Sequence, residues 1–160
     1  MTPSKLRFGI LLGLISLFLV GVGHSKPLSS QEILDLLNAD RITHGLSELS
    51  LNETLSMAAS AKAHDMLEKK YFSHIGPDGT SPWHWFKVLG YNYAYAGENL
   101  AEGYDNASDL ETSWMGSPTH RANILSPFYS DVGVAIVERD GTSLVVQFFG
   151  SVENKLTLRQ

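Results

Sequence analysis

The sequence predicts an α+β fold in which a small, mainly antiparallel sheet lies between helices, and three observations carry that expectation. In the C-terminal third, Val132, Val134 and Ile136 alternate with other residues, Asp140-Gly141 is a hairpin signal, and Leu144 to Phe149 is a second apolar run. That second run is apolar on both faces, so it belongs at the centre of a sheet covered on each side. Upstream, apolar residues recur at helical spacing, which supplies the covering layers.

Each element follows from local chemistry. Ser29 with Glu32 has the form of a capping box, Ile33, Leu36 and Leu37 share a face, and Gly45 is placed to stop the chain in a left-handed conformation. A helix is therefore expected from Ser30 to His44. Asn52 is a good N-cap for a second helix running to Lys70, with Leu55, Ala59, Met66 and Leu67 on one stripe. Its small residues Ala58, Ala59, Ala61 and Ala63 would let a sheet approach closely. Ser81-Pro82 opens a third helix that Gly90 closes after Leu89. Asp109 to Met115 reads as a fourth, introduced by Asn106 or Ser108, and a short strand is expected around Tyr93 to Ala96.

A chain of 160 residues suits one domain. Lys5 and Arg7, the uncharged and mostly apolar run from Phe8 to Val22, and small residues at Gly21, Gly23 and Ser25 form the three-part pattern of a secretory signal peptide. The expected division is a signal peptide over 1–25 and a folded domain over 26–160, secreted or periplasmic, with no stable membrane span after cleavage. Removing Lys5 and Arg7 leaves 10 basic against 17 acidic residues, a charge that repels phosphate backbones, so nucleic acid is not an expected partner. The absence of Cys excludes thiol catalysis, thiolate metal sites and disulfides.

Three segments hold the chemistry. His74 follows Tyr71-Phe72-Ser73 at the exit of the second helix, beside the turn-forming Gly76-Pro77-Asp78-Gly79, on a loop held by a rigid scaffold. Glu98 stands in Gly97-Glu98-Asn99 directly after the short strand, where glycine lets the backbone turn and aim a carboxylate. His120 lies in Ser117-Pro118-Thr119-His120-Arg121 after the fourth helix. Each also has a plain structural reading, as a surface or satisfied loop group.

The order of these segments resembles the CAP superfamily of cysteine-rich secretory, antigen-five and pathogenesis-related proteins. The resemblance runs through Asn38, Arg41, Gly45 and Leu46, through Ala63 and Met66, and through Phe72-Ser73-His74. It continues with Gly97-Glu98-Asn99-Leu100-Ala101, Trp114-Met115, Ser117-Pro118-Thr119-His120-Arg121 with Asn123-Ile124-Leu125, Val132-Gly133-Val134 and Gln147-Phe148-Phe149-Gly150. Its Trp-Met-x-Ser-Pro-x-His-Arg wording is similar to the short, disulfide-free bacterial branch. The resemblance implies an α-β-α sandwich and a central cleft lined by His74, His120 and Glu98. The family's fourth acid falls at Ser117, so the tetrad is incomplete, and Glu111 on the same helix is a candidate replacement. Asn99 and Arg121 are expected to fix the cleft walls, Asn99 through backbone hydrogen bonds and Arg121 by pairing with an acid such as Glu102 or Asp131.

By the same resemblance, His74 and His120 are candidate zinc ligands, weak because two neutral imidazoles leave the remaining positions to water. Three functions stay open. The cleft binds a ligand outside the cytoplasm (a cell-wall fragment, lipid or protein), hydrolyses one with Glu98 or a histidine as base or with Ser73 or Ser117 as nucleophile, or only stiffens the fold. Six aromatic residues between Trp83 and Tyr95 bear on the first. Trp85, Phe86 and Leu89 are expected to be the buried face of the third helix, Trp83 and Tyr93 a rim suited to a sugar, peptide or lipid, and His84 an exposed residue.

Overall fold

Residues 28–152 are described by the structure, a computed structural model. The segment read as a signal peptide, residues 1–25, lies outside them. In chain order the elements are α1 (Ser30–Thr43), β1 (Ser50–Leu51), α2 (Glu53–Glu68), α3 (Trp83–Val88), β2 (Tyr95–Glu102), α4 (Ala107–Gly116), α5 (Pro118–Ile124), β3 (Asp131–Arg139) and β4 (Thr142–Ser151). Three of the N-caps read from sequence are in place, whereas α3 begins at Trp83 with Pro82 as its N-cap rather than its first residue and without a side-chain cap bond. Ser29 Oγ accepts from Glu32 N–H, Asn52 Oδ1 from Leu55 N–H and Asn106 Oδ1 from Asp109 N–H. Gly45 has φ +74° at the end of α1.

The sheet order is β1-β3-β4-β2, antiparallel except for the short parallel pairing of β1 with β3. β4 is interior and apolar on both faces, as its sequence requires. Val145 and Phe149 join Ile33, Leu37, Leu110, Trp114 and Ile124 under α1, α4 and α5. Leu144, Val146 and Phe148 join Leu55, Ala59, Ala63, Met66 and Phe86 under α2 and α3. Burying each of these large side chains stabilises the fold by about 1.5–3 kcal/mol, so both faces of one strand anchor a layer of helices. The small-residue face of α2 lies directly on the sheet, because a methyl group at Gly133 of β3 would overlap the backbone of Leu55 and Ser56. The result is the expected α-β-α sandwich.

Three expectations change. The strand placed at Tyr93 to Ala96 is the eight-residue edge strand β2, so Glu98 and Asn99 lie within it rather than after it. His120 is not on a loop but on α5, a seven-residue helix too short to show an apolar period. In α3 only Phe86 is fully buried. Trp85 is half-buried and Leu89 exposed, since so short a helix turns one residue squarely inward.

Candidate functional site

The alternation of β2 decides what each side chain can reach. Leu100 packs with the α2 layer and Ala101 with the α4 layer, so Glu98 faces α2 and Asn99 faces α5. β2 is an edge strand, and groups from the two helical layers approach each other around it. Gly97 serves this edge differently from the reading made on sequence. Its φ is not in the left-handed region. A side chain there would run into the Tyr129 ring, whose hydroxyl donates to the Ala96 carbonyl at 3.1 Å.

On the α2 side, His74 Nδ1 hydrogen-bonds Glu98 Oε1. Glu98 is buried while the His74 ring is largely exposed, so a charged floor carries an accessible imidazole. The bond to Glu98 raises the His74 pKa above its usual 6.5, outweighing the opposing effect of burial. Burial raises the Glu98 pKa although His74 and Lys62 both favour its charged form. Its second oxygen, Oε2, is buried without a hydrogen-bond partner among the described residues.

Lys62 completes this side and was missed. It is wholly buried, and its Nζ donates to the carbonyl oxygens of Ser73 (3.0 Å) and His74 (2.9 Å) and to Tyr71 Oη (3.0 Å). Tyr71 in turn donates to Asp65 Oδ2 at 2.5 Å. Burial lowers the Lys62 pKa, and the charges of Glu98 and Asp65 oppose that. A signal was present in the sequence. Positions 55, 59, 62 and 66 follow one helical stripe, so a lysine at 62 is carried to the buried face of α2 and needs acceptors there.

On the α5 side, His120 is half-buried, its ring centroid 6.4 Å from that of Trp114. Burial lowers its pKa, and the charge of His74 lowers it further. Asn99 Nδ2 donates to the His120 carbonyl (3.4 Å) and to Gln147 Oε1 (3.1 Å). Asn123 Nδ2 donates to Asn99 Oδ1 (2.9 Å) and to the Glu98 carbonyl (3.0 Å). Asn99 thus makes one bond to backbone and two to side chains, and Asn123 ties α5 to the strand bearing Glu98.

Ser117 joins α4 to α5, with its hydroxyl 3.4 Å from that of Thr119. Arg121 does not pair with Glu102 or Asp131. Arg41 of α1 donates to the carbonyls of Ile124 and Ser126 and so holds the end of α5 against α1, where Arg121 Nη2 meets His44 Nε2 at 3.0 Å. Glu102 is taken by Arg139, and Asp131 accepts from Tyr91 Oη at 2.8 Å. Glu111 is buried on α4 with neither oxygen hydrogen-bonded among the described residues. Burial raises its pKa, and the charge of Asp40 on α1 adds to that.

His74, Trp83, Gly97, Glu98 and Asn123 line a cavity of about 340 Å³. Holding His74 by Nδ1 leaves its Nε2 as a donor or a ligand. Among the described residues no three His, Asp or Glu side chains gather at metal-binding spacing, so any ion here would rest on at most two protein ligands and solvent.

Sandwich architecture and edge-strand motif together define an SCP-type α-β-α protein. The chain belongs to the cysteine-rich secretory protein (CAP) family, whose model matches residues 34–149. It is 41% identical to the uncharacterized protein YkwD of Bacillus subtilis over 75% of this chain and 46% of that one. It thus spans about half the length of that relative. Among solved structures, an extracellular SCP-domain protein from Bacillus anthracis superposes with TM-score 0.70 at 25% identity, over 80% of this chain and 45% of that one. An outer surface protein from Borrelia burgdorferi shares the fold, with TM-score 0.70 at 19% identity, over 81% of this chain and all of that one. No described helix is long and apolar enough to cross a membrane.

Proposed function

We propose that this CAP domain is an extracytoplasmic binding module whose ligand engages the cavity bounded by His74 and Glu98, with His120 approaching from the opposite layer. One observation carries the reading. Glu98 is buried beside an open cavity, gives one oxygen to His74 and has no protein partner for the other among the described residues. A buried carboxylate oxygen left unpaired costs about 1–3 kcal/mol or more, and a ligand donor or cation at the cavity removes that cost. The signal-type N-terminal pattern supports a site of action outside the cytoplasm.

Zinc fits the donors in kind, with His74 Nε2 and His120 as ligands and Glu98 orienting the His74 ring, but their number supports only a weak, exchangeable ion. Such an ion would supply a positive anchor for an anionic ligand group. Calorimetric titration of zinc into the purified protein at neutral pH tests this. Binding at about micromolar Kd that is lost in both His74→Ala and His120→Ala supports a shared site. No binding, with both variants folded, removes the metal and leaves an organic ligand for the cavity. Turnover of a mixed peptide library that disappears in Glu98→Ala would replace the binding reading with a hydrolytic one.

A further inference from the structure

A second and larger groove, about 740 Å³, lies beside the His74 cavity and shares Trp83 as a wall. Its other features are Tyr93, the polar side chains of Thr80 and Asn92, the cation Lys87, and His84. Trp83 and Tyr93 stand with ring centroids 6.1 Å apart and planes inclined at 46°, a bent aromatic platform. Phe86 beneath meets both rings edge-on, at 5.6 Å and 5.4 Å, and fixes their positions from the core. Tyr93, His84, Lys87 and Asn92 are exposed, so the platform opens to solvent.

We infer that this groove binds an acidic oligosaccharide, stacked on Trp83 and Tyr93 with its carboxylate toward Lys87. Sugar rings offer a flat C–H face to an aromatic ring and a rim of hydroxyls to short polar side chains, which is the pairing this surface provides. A lipid tail requires a closed apolar channel, whereas here apolar and polar walls alternate in the open. The charge preference follows from the lining. It contains Lys87 and His84 but no Asp or Glu, in a protein of net charge −5. A cation in a groove without carboxylates, on an acidic protein, selects anionic ligand groups.

The inference rests on the reading of the domain as a binding module, but not on the His74–Glu98 pair or on a metal. Its test is calorimetric titration with three acidic probes, trigalacturonate, trimannuronate and a hyaluronan tetrasaccharide, with EDTA present throughout. Failure of the zinc site is then read in the zinc titration alone, and failure of the groove in this one. At least one probe is expected to bind with Kd between about 10 μM and 1 mM, and its methyl ester at least about ten-fold more weakly. Tyr93→Ala and Lys87→Gln, both at exposed positions and so compatible with folding, are each expected to weaken binding about ten-fold. Absence of binding by all three probes up to about 10 mM, equal binding of the ester, or unchanged affinity in both variants would overturn the inference.

Discussion

The ammonium of Lys62 lies 2.9 Å from the carbonyl oxygen of His74, so a lysine sealed inside the α2 layer holds the backbone of an exposed imidazole. The same ammonium satisfies Ser73 and Tyr71, and through Tyr71 it reaches Asp65. Lys62→Met keeps the side-chain volume but strands these acceptors. It is expected to lower stability by about 2 kcal/mol in urea unfolding. Amide exchange in the segment 71–76 should accelerate more than exchange in β4, because the loop loses its anchor while the core keeps its packing.

Glu98 and His74 should titrate as a pair. The hydrogen bond that His74 donates to Glu98 raises the His74 pKa, and a histidine raised in the folded state adds stability that is whole below 6.5 and lost as pH rises through the raised value. Burial raises Glu98 as well, which acts in the same direction. Followed by NMR in metal-free protein, the His74 ring is expected to titrate at lower pH in Glu98→Gln than in wild type. His120, whose pKa is lowered first by its own burial, should shift far less. An unchanged His74 titration would show that the two side chains do not meet in solution.

How far the site was legible depends on which physical rule placed each residue. The alternation that sends Val145 and Phe149 one way and Leu144, Val146 and Phe148 the other is written in the sequence, and the sandwich follows from it. His74, Glu98 and His120 were legible through family wording, but their supports were not. Gly97-Glu98-Asn99 looks like a turn, yet it is straight strand. The glycine is there because Tyr129, far along the chain, packs on it, and tertiary contact is invisible to local pattern. Lys62 occupies a position that helical spacing assigns to the core, where a charged residue is easily taken for an exception rather than a partner-seeking group. Arg121 lacked its expected acid because Arg41 decides where α5 sits, through carbonyl bonds that no side-chain pattern records.

Glu111 is a reservoir of pH-dependent stability. Burial, with a smaller effect of the Asp40 charge, pushes its pKa up to about 8. A carboxyl raised in the folded state contributes stability that is whole below its ordinary 4.5 and lost as pH rises through about 8. Thermal unfolding of wild type should therefore show Tm falling between about pH 5 and pH 9. Glu111→Gln is expected to flatten that fall and to exceed wild type at about pH 9 by on the order of 3 kcal/mol. An equal fall in both proteins would locate the pH dependence elsewhere.

Contact between α2 and the sheet gives the strongest stability test. Gly133 of β3 lies against the backbone of Leu55 and Ser56, so an added methyl meets main chain rather than a side chain that can rotate away. Relief then requires lifting the N-terminal turn of α2 from β3, which loosens the packing of Leu55, Ala58 and Ala59 in the same layer. Gly133→Ala is expected to cost about 3 kcal/mol or more in chemical denaturation. Gly116→Ala, at the end of α4 with no neighbour within 4 Å of the added carbon, is the matched control and should be neutral or slightly stabilising. Because α2 also carries Lys62, the Gly133 variant should accelerate amide exchange around His74, whereas Gly116→Ala should leave it unchanged. Equal exchange at His74 in the two variants would mean that the His74 loop is held independently of the helix beneath it.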